Sequence, residues 1–235
     1  MTTSTRVDLI VRGGRVVCPA SKRDGVADLH IAGDRIVRIV DPPSSPPSSA
    51  GARVVDASGC IVIPGLVDLG VCLRDPGRED DEDLASTLGA ALRGGVTTVV
   101  ALPDTDPPVD GSDDVISRRT AVRALGIAPD VIVCGALTKD RAGKEPADIA
   151  DMASAGAFVF GDGIAISDAL VIRKALEYAR GAVGKTALAI VRGPHAELSK
   201  GGVVVEGAVA TRLGLPGIPE LADALAVSTH TALAS

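Results

Sequence analysis

The sequence predicts an α/β protein in which a parallel sheet covered by helices follows an all-β region. From residue 65 onward, continuous apolar runs alternate with amphipathic helical patterns, which favours parallel strands joined by helices. Before that point, short apolar runs are separated by turn signals. Apolar residues make up 46% of the chain, yet only two Phe and one Tyr are aromatic. Aliphatic side chains must therefore fill the core, as suits closely layered strands and helices.

The first region, residues 1–63, is predicted to be all β. "VDLIVRGGRVV" contains two apolar runs around Gly13-Gly14, which indicates a hairpin. "ADLHIAGDRIVRIV" repeats the pattern with a turn at Gly33-Asp34, and "RVVDASGCIVIP" adds two short strands. Residues 41–51, "DPPSSPPSSAG", form a Pro/Ser loop that cannot pair in a sheet, and we expect a disordered surface insertion there.

The second region, residues 64–235, is predicted to hold five strand–helix units. The strand-like runs are residues 65–71, 97–102, 130–137, 157–161 and 186–191. The helical patterns are residues 80–93, 112–125, 145–155, 167–181 and 217–234. Five repeats of this alternation predict a parallel sheet with helices packed against it.

Composition excludes several classes of function. The formal net charge of −6 leaves no basic face, so we expect no nucleic-acid partner. No run approaches the roughly 18–20 apolar residues that cross a bilayer, and no signal-peptide pattern opens the sequence. The four cysteines, Cys18, Cys60, Cys72 and Cys134, are scattered without a CxxC pair, which is typical of reduced, buried thiols. We therefore expect a cytoplasmic protein without a membrane partner.

Chemistry in parallel α/β folds is found where the strands end at their carboxyl side. Five stretches follow the predicted strands: "GVCLRDPG", "ALPDTDPP", "GALTKDRAGKE", "FGDG" and "IVRGPHAE". They contain Arg74, Asp75, Asp104, Asp106, Lys139, Asp162, Arg192 and His195. This set is polar, but it is poor in side chains that bind metals.

Several motifs in sequence order resemble dihydroorotase of the bacterial type I kind, a family of the amidohydrolase superfamily. They are "GLVDLGVCLRDPG" at 65–77, "GGVTTVVALPDTDPPVD" at 94–110, "GALTKDRAGKEPADIADMASAGA" at 135–157 and "EGAVATRLGLPGIPELADALAV" at 206–227. The resemblance implies a (β/α)8 barrel with a β-sandwich built largely from residues 1–63. It also implies reversible closure of N-carbamoyl-aspartate to dihydroorotate in pyrimidine synthesis, with one or two zinc ions activating water.

The resemblance also identifies this chain as an incomplete member of the family. A complete barrel takes about 250 residues, and five of its eight strand–helix units are predicted here. We therefore expect a partial TIM-type barrel, truncated at its C-terminal side, whose open sheet needs a cover. The cover would be a second copy in a homo-oligomer or another polypeptide.

The resemblance places the family's first pair of metal ligands, a His-x-His, at Gly70 and Cys72. Side chains two apart on a strand point to the same side, so two histidines there would reach one zinc. Glycine offers no ligand, and we interpret Cys72 as a small buried hydrophobic residue. The third and fourth ligand positions fall at Asp162 and Arg192. We interpret Asp162 as an Asx-type turn residue before Gly163.

The histidines and the substrate-binding positions also differ from the family pattern. His195, three residues after Arg192, would be a displaced ligand or a surface loop histidine, and we favour the surface residue. His30 and His230 are predicted to lie far from the strand ends. Arg74 and Asp104 occupy the positions that hold the substrate carboxylate, but the family has Asn where this chain has Asp104. We expect Arg74 to form a structural bridge with Asp75 or Asp104.

These replacements favour a pseudoenzyme: a dihydroorotase-like protein without catalytic residues, metal or cofactor, although active relatives use zinc. Its predicted role is structural, as a partner of aspartate transcarbamoylase. Two alternatives stay open. One is an active zinc-dependent cyclic amidohydrolase with an altered site at Cys72, Asp162 and His195. The other is a degenerate fragment without a stable fold.

Overall fold

The computed structural model describes residues 6–42, 51–191 and 193–234. They form two compact units, the first ending at Gly65 and the second beginning at Leu66. Most of the predicted Pro/Ser loop, residues 43–50, lies outside the described residues. Across the three described ranges, no helix is long and apolar enough to cross a membrane.

The first unit is built on one sheet of five strands. They are β1 (Leu9–Cys18), β2 (Arg23–Ala32), β3 (Arg35–Val40), β4 (Arg53–Asp56) and β5 (Ile61–Val62). The order is β3-β2-β1-β4, and β5 also pairs with β1. β1 is antiparallel to β2 and parallel to β4 and β5. The turn at Gly33-Asp34 lies between β2 and β3 as predicted. Since the described residues of this unit form a single sheet, the β-sandwich stays a prediction.

The glycine pair in β1 forms a bulge, so the predicted hairpin at Gly13-Gly14 is wrong. The pairing register with β2 shifts between Val11 and Gly14. Gly13 has a φ of +74°, and its N–H donates to Asp28 Oδ1 at 2.9 Å. A Cβ at Gly14 would lie 2.6 Å from Cγ2 of Val62. The two glycines therefore let one long strand continue past the bulge and pair with neighbours on both sides.

The second unit contains five parallel strands, as predicted. They are β6 (Leu66–Val71), β7 (Val96–Ala101), β8 (Asp130–Gly135), β9 (Val159–Phe160) and β10 (Leu188–Ala189). Each strand pairs with the next one along the chain, which gives the order β10-β9-β8-β7-β6. The sheet curls into a half-barrel, and its carboxyl ends lie along one rim.

Helices connect these strands and continue after β10. They are α1 (Leu84–Arg93), α2 (Ser112–Ala124), α3 (Ile149–Ser154), α4 (Ala169–Val183), α5 (Ala196–Ser199), α6 (Ala208–Leu213) and α7 (Leu221–Leu233). Two short parallel strands, β11 (Val204–Val205) and β12 (Gly217–Ile218), flank α6. Asp83 caps α1 by accepting the N–H of Ser86 at 2.7 Å, and Asp168 caps α4 by accepting the N–H of Leu170 at 2.8 Å. These caps satisfy N–H groups that the first helical turn leaves unpaired.

The parallel sheet has two different faces. Val99 packs with Leu88 of α1, so its face is covered by helices. The next residue, Val100, packs with Cys134 and Val159, which belong to β8 and β9. Successive side chains of a strand point to opposite faces. The second face is therefore lined by strand residues, as in the interior of a barrel.

Replacement of Leu88 by alanine tests the packing of α1 on the sheet. Leu88 is buried, so Leu88→Ala should lower the free energy of unfolding by about 2–5 kcal/mol. Ile127 is 86% exposed, and Ile127→Ala should change it by less than about 0.5 kcal/mol. Urea unfolding followed by circular dichroism measures both. Equal effects would contradict the packing, and a non-cooperative transition in the unsubstituted chain would indicate a degenerate fragment without a stable fold.

Candidate functional site at the strand ends

The end of β6 carries Gly70 and Cys72. Gly70 is the penultimate residue of the strand, and its N–H donates to Asp68 Oδ1 at 3.0 Å. Cys72 is half-buried and follows the strand directly. At the two positions where the family resemblance implies imidazoles, this chain therefore offers one thiol and no second side chain.

Arg74 pairs with Asp81, so the predicted bridge to Asp75 or Asp104 is wrong. Its Nη1 lies 3.1 Å from Asp81 Oδ2, and both side chains are exposed to solvent. Asp75 is used in another contact, because its Oδ2 accepts the N–H of Leu84 at the start of α1 at 3.2 Å. The positive end of a helix dipole favours a carboxylate at this place. An exposed pair such as Arg74–Asp81 contributes little to stability.

Asp104 faces two arginines that the sequence analysis did not select. Its Oδ2 lies 3.6 Å from Arg78 Nη2, whereas its buried Oδ1 receives no hydrogen bond from the residues described. Burial lowers the pKa of the Arg118 guanidinium, while the charges of Asp75, Asp104 and Asp114 act to raise it. The position that holds an amide in the family is therefore a carboxylate between cationic groups.

The position of Arg118 in α2 could have identified it as a buried residue, although charged residues are usually expected at the surface. Arg118 lies three residues after Val115 and four before Val122, on the stripe of α2 that faces the core. A charged residue on such a stripe requires a partner. Arg118 Nη1 donates a hydrogen bond to the carbonyl of Asp75, which ties α2 to the loop after β6.

Asp162 is a fully buried carboxylate that joins the end of β9 to the end of β8. Its Oδ1 accepts the N–H groups of Leu137 at 2.7 Å and Thr138 at 3.0 Å. Its Oδ2 accepts a hydrogen bond from Thr138 Oγ1. Because these donors follow the neighbouring strand, the predicted Asx turn before Gly163 is wrong. The carboxylate instead satisfies buried backbone N–H groups.

Cys134 lies beside this carboxylate on the strand-lined face of the sheet. Burial raises the pKa of its thiol to about 12, and the negative charge of Asp162 acts in the same direction. At neutral pH the group is therefore a protonated thiol. It behaves as a small hydrophobic side chain rather than as a nucleophile or metal ligand.

His195 is half-buried, which contradicts the expected surface histidine. Its backbone N–H donates to the carbonyl of Ala222 at 2.9 Å, which anchors the loop before α5 on α7. Its Nδ1 is buried and makes no hydrogen bond within the described ranges. His195 and His230 line one cavity of about 30 Å³ together with residues 165–167. Burial lowers the pKa of the His230 imidazole. Arg192 lies outside the described residues.

The side chains present at the rim do not fit a zinc site. Zinc sites in proteins use at least three nitrogen, sulfur or oxygen ligands from side chains. Within residues 6–42, 51–191 and 193–234, no three His, Cys, Asp or Glu side chains are grouped so as to hold a metal ion. The buried oxygens of Asp162 are also engaged by the backbone of β8.

The family model for dihydro-orotase-like proteins matches residues 59–235. This chain belongs to the dihydroorotase-like family. It is 40% identical over 230 residues to a dihydroorotase of Pelotomaculum thermopropionicum, which covers 96% of this chain and 51% of that protein. It is 37% identical over 232 residues to a dihydroorotase of Geobacter sulfurreducens, which covers 97% and 52%. The chain spans about half the length of the curated relatives it matches.

Solved structures confirm the fold class. An L-hydantoinase from Arthrobacter aurescens superposes with a TM-score of 0.69 at 19% identity, covering 97% of this chain and 50% of that one. A D-hydantoinase superposes with a TM-score of 0.59 at 19% identity, covering 96% and 49%. At these identities the likeness shows the fold alone. The second unit is a partial TIM-type barrel.

Removal of the Asp162 carboxylate tests its structural role. Asp162→Ala leaves two buried N–H groups without an acceptor, and each such group costs about 1–3 kcal/mol. We expect the free energy of unfolding to fall by about 2–5 kcal/mol. Asp80, an exposed carboxylate on the loop before α1, is the matched control, and Asp80→Ala should have an effect within about 0.5 kcal/mol. Equal stability of the two variants in urea would show that the Asp162 contacts do not support the fold.

Proposed function

We propose that this dihydroorotase-like protein of pyrimidine biosynthesis is cytoplasmic, has no metal-dependent hydrolase activity and serves as a structural partner of aspartate transcarbamoylase. The observation that supports this proposal is that the side chains at the carboxyl ends of the strands do not form a set of metal ligands. The positions that match the family's metal ligands hold Gly70, Cys72 and a carboxylate, Asp162, that is already engaged by backbone N–H groups.

Loss of metal binding follows from the chemistry of these side chains. Gly70 supplies no donor atom, and Asp162 would have to abandon buried hydrogen bonds before it could bind a cation. At the described positions that match the family's ligands, the donor group left is the Cys72 thiol, and the His195 imidazole lies three residues after Arg192 in the sequence. Two ligands fall short of the three that a catalytic zinc requires.

The substrate-binding positions support the same proposal. Dihydroorotate and N-carbamoyl-aspartate are both anions, and the family resemblance implies that an arginine and an asparagine hold the carboxylate. In this chain Arg74 is paired with Asp81. The second position is Asp104, a carboxylate next to Arg78, where the resemblance implies a neutral amide that donates a hydrogen bond. These two positions therefore lack the unpaired arginine and the amide donor that the resemblance implies for the substrate carboxylate.

The proposed structural role rests on the family resemblance and on the internal contacts at the rim of the second unit. The family resemblance implies such a role, since some bacteria pair an inactive dihydroorotase-like chain with aspartate transcarbamoylase. The rim of this chain holds carboxylates that contact its own backbone and arginines, as Asp75, Asp104 and Asp162 do. A rim used in this way suits a chain selected for its shape rather than for turnover.

One observation favours the alternative of a working amidohydrolase with an altered site. Nδ1 of His195 is buried without a hydrogen-bond partner among the described residues, and such a nitrogen is available to a ligand. The alternative would use it with Cys72 and Asp162, and metal analysis separates the two proposals.

Zinc content distinguishes the inactive protein from the altered enzyme. After growth in zinc-supplemented medium and gel filtration, we expect substoichiometric zinc and no hydrolysis of dihydroorotate, because the ligand set is incomplete. Elemental analysis measures the zinc content. A spectrophotometric assay measures the consumption of dihydroorotate. Cys60, an exposed cysteine of the first unit, gives the control variant Cys60→Ser. One zinc per chain that is lost in Cys72→Ser and kept in Cys60→Ser would overturn the proposal.

Association with aspartate transcarbamoylase is tested with purified proteins. The chain and the transcarbamoylase catalytic subunit of the same organism should co-elute at micromolar concentration in gel filtration with light scattering. An unrelated trimeric enzyme of similar size serves as the control for non-specific association. Separate elution of the two proteins at these concentrations would rule out the scaffold role and leave the result of the zinc test unaffected.

A further inference from the structure

The loop between β8 and α3 contains two adjacent residues in a left-handed backbone conformation. Asp140 and Arg141 have φ values of +53° and +55°, and neither is a glycine. This conformation costs roughly 1–2 kcal/mol for a residue that carries a Cβ. Residues held in this way persist where surrounding contacts fix them, and they cluster at functional sites. The backbone of this loop therefore points to a role for a side chain that it carries.

Hydrogen bonds on both sides of the strained residues hold the loop in this shape. The N–H of Asp140 donates to Asp110 Oδ2 at 2.7 Å. Arg141 Nε donates to the carbonyl of Asp162 at 2.7 Å. The second bond fixes the direction of the guanidinium at the ends of β8 and β9, and it leaves the edge formed by Nη1 and Nη2 facing away from that carbonyl.

Arg141 is a half-buried arginine whose outer nitrogens have no partner within the described ranges. Arg74 and Arg78 at the same rim pair with carboxylates. The buried side-chain nitrogens that lack a hydrogen bond in the described part of the chain belong to Arg23 and His195. Both Nη groups of Arg141 therefore reach the solvent, and the outer edge of an oriented guanidinium is available to a ligand.

Gly163 leaves space beside this guanidinium. A Cβ at Gly163 would lie 3.8 Å from Arg141 Nη2 and 3.4 Å from Cδ1 of Leu102. Leu102 is buried and directly follows β7, whereas Gly163 follows β9. The guanidinium therefore lies at the carboxyl rim near the ends of both strands, and the missing side chain of Gly163 leaves its Nη2 uncovered.

The charges around Arg141 favour a singly charged ligand. The outer edge of a guanidinium binds carboxylates and phosphates through two parallel hydrogen bonds. The carboxylates of Asp110 and Asp162 belong to residues that contact the same loop. Lys139 and Lys144 are exposed, so solvent screens their charges. One guanidinium balances one carboxylate, whereas a doubly charged phosphate would leave excess negative charge near the two aspartates.

We propose that Arg141 binds the carboxylate of a small molecule at the rim of the half-barrel, through parallel hydrogen bonds from Nη1 and Nη2. The site is separate from the positions of Arg74 and Asp104, because it belongs to the loop after β8. The inference goes beyond the proposed function and does not depend on it, since binding of a carboxylate requires neither metal nor turnover. A positive zinc test would leave it unaffected.

Acetate, a minimal carboxylate, is the probe for the test. It replaces chloride at constant ionic strength in a solution of the full 235-residue chain labelled with ¹⁵N, and NMR follows the arginine Nε–H and backbone N–H signals. We expect saturable shifts of the Arg141 Nε–H and Gly163 N–H, with a dissociation constant on the order of 10 mM for so small a ligand.

Arg35, whose side chain is 84% exposed, is the internal control for general effects of the anion. Its Nε–H should shift little and without saturation, because a fully solvated guanidinium gains little from one more ion. This comparison is made within one chain and requires no variant. Shifts at Arg141 that are absent, or that are no larger than those at Arg35, would overturn the proposal.

Two variants of the loop separate the guanidinium fork from positive charge alone. Arg141→Lys keeps the charge but loses the fork, and it should weaken acetate binding, followed at the Gly163 N–H, by about tenfold or more. Lys144→Ala removes a charge from the same loop and should bind within about threefold of the unsubstituted chain. Circular dichroism spectra confirm that both variants are folded. Undiminished binding by Arg141→Lys would contradict the assignment.

Inorganic phosphate distinguishes a carboxylate site from a general oxyanion site. In the same titration it should bind more weakly than acetate, because of the aspartates near Arg141. Tighter binding of phosphate than of acetate at the Arg141 Nε–H would overturn the assignment to a carboxylate.

Discussion

The structure of the second unit depends on one constraint: parallel strands are buried on both faces. Alternate residues of β7 show how the constraint is met. Val99 lies under Leu88 of α1, and Val100 packs against strand residues on the concave face. The constraint is unmet only at the edges described here, β6 and β10, where apolar side chains face solvent. Curvature, helix cover and the demand for neighbours all follow from this condition.

Polar side chains at the carboxyl rim are used to hold the loops in place. Asp75 accepts a hydrogen bond from the start of α1, and Asp162 accepts two from the chain after β8. Asp104 faces Arg78 and lies in the field of the buried Arg118. A buried carboxylate with satisfied oxygens gives rigidity but has little freedom to bind a cation. The rim is therefore an ordered surface built from internal contacts.

The sequence by itself determined the local elements and the absence of imidazoles at Gly70 and Cys72. Periodicity is a property of neighbouring residues, so the five parallel strands and the helices between them were predicted to within a few residues. The tertiary structure alone decided contacts between distant segments. Asp81 rather than Asp75 pairs with Arg74, Asp162 accepts from Thr138, and His230 shares a cavity with His195. The bulge at Gly13-Gly14 belongs to the same class, because strands on both sides of β1 select a continuous strand over a hairpin. Such contacts depend on strand order and on the path of each loop, which no local pattern specifies.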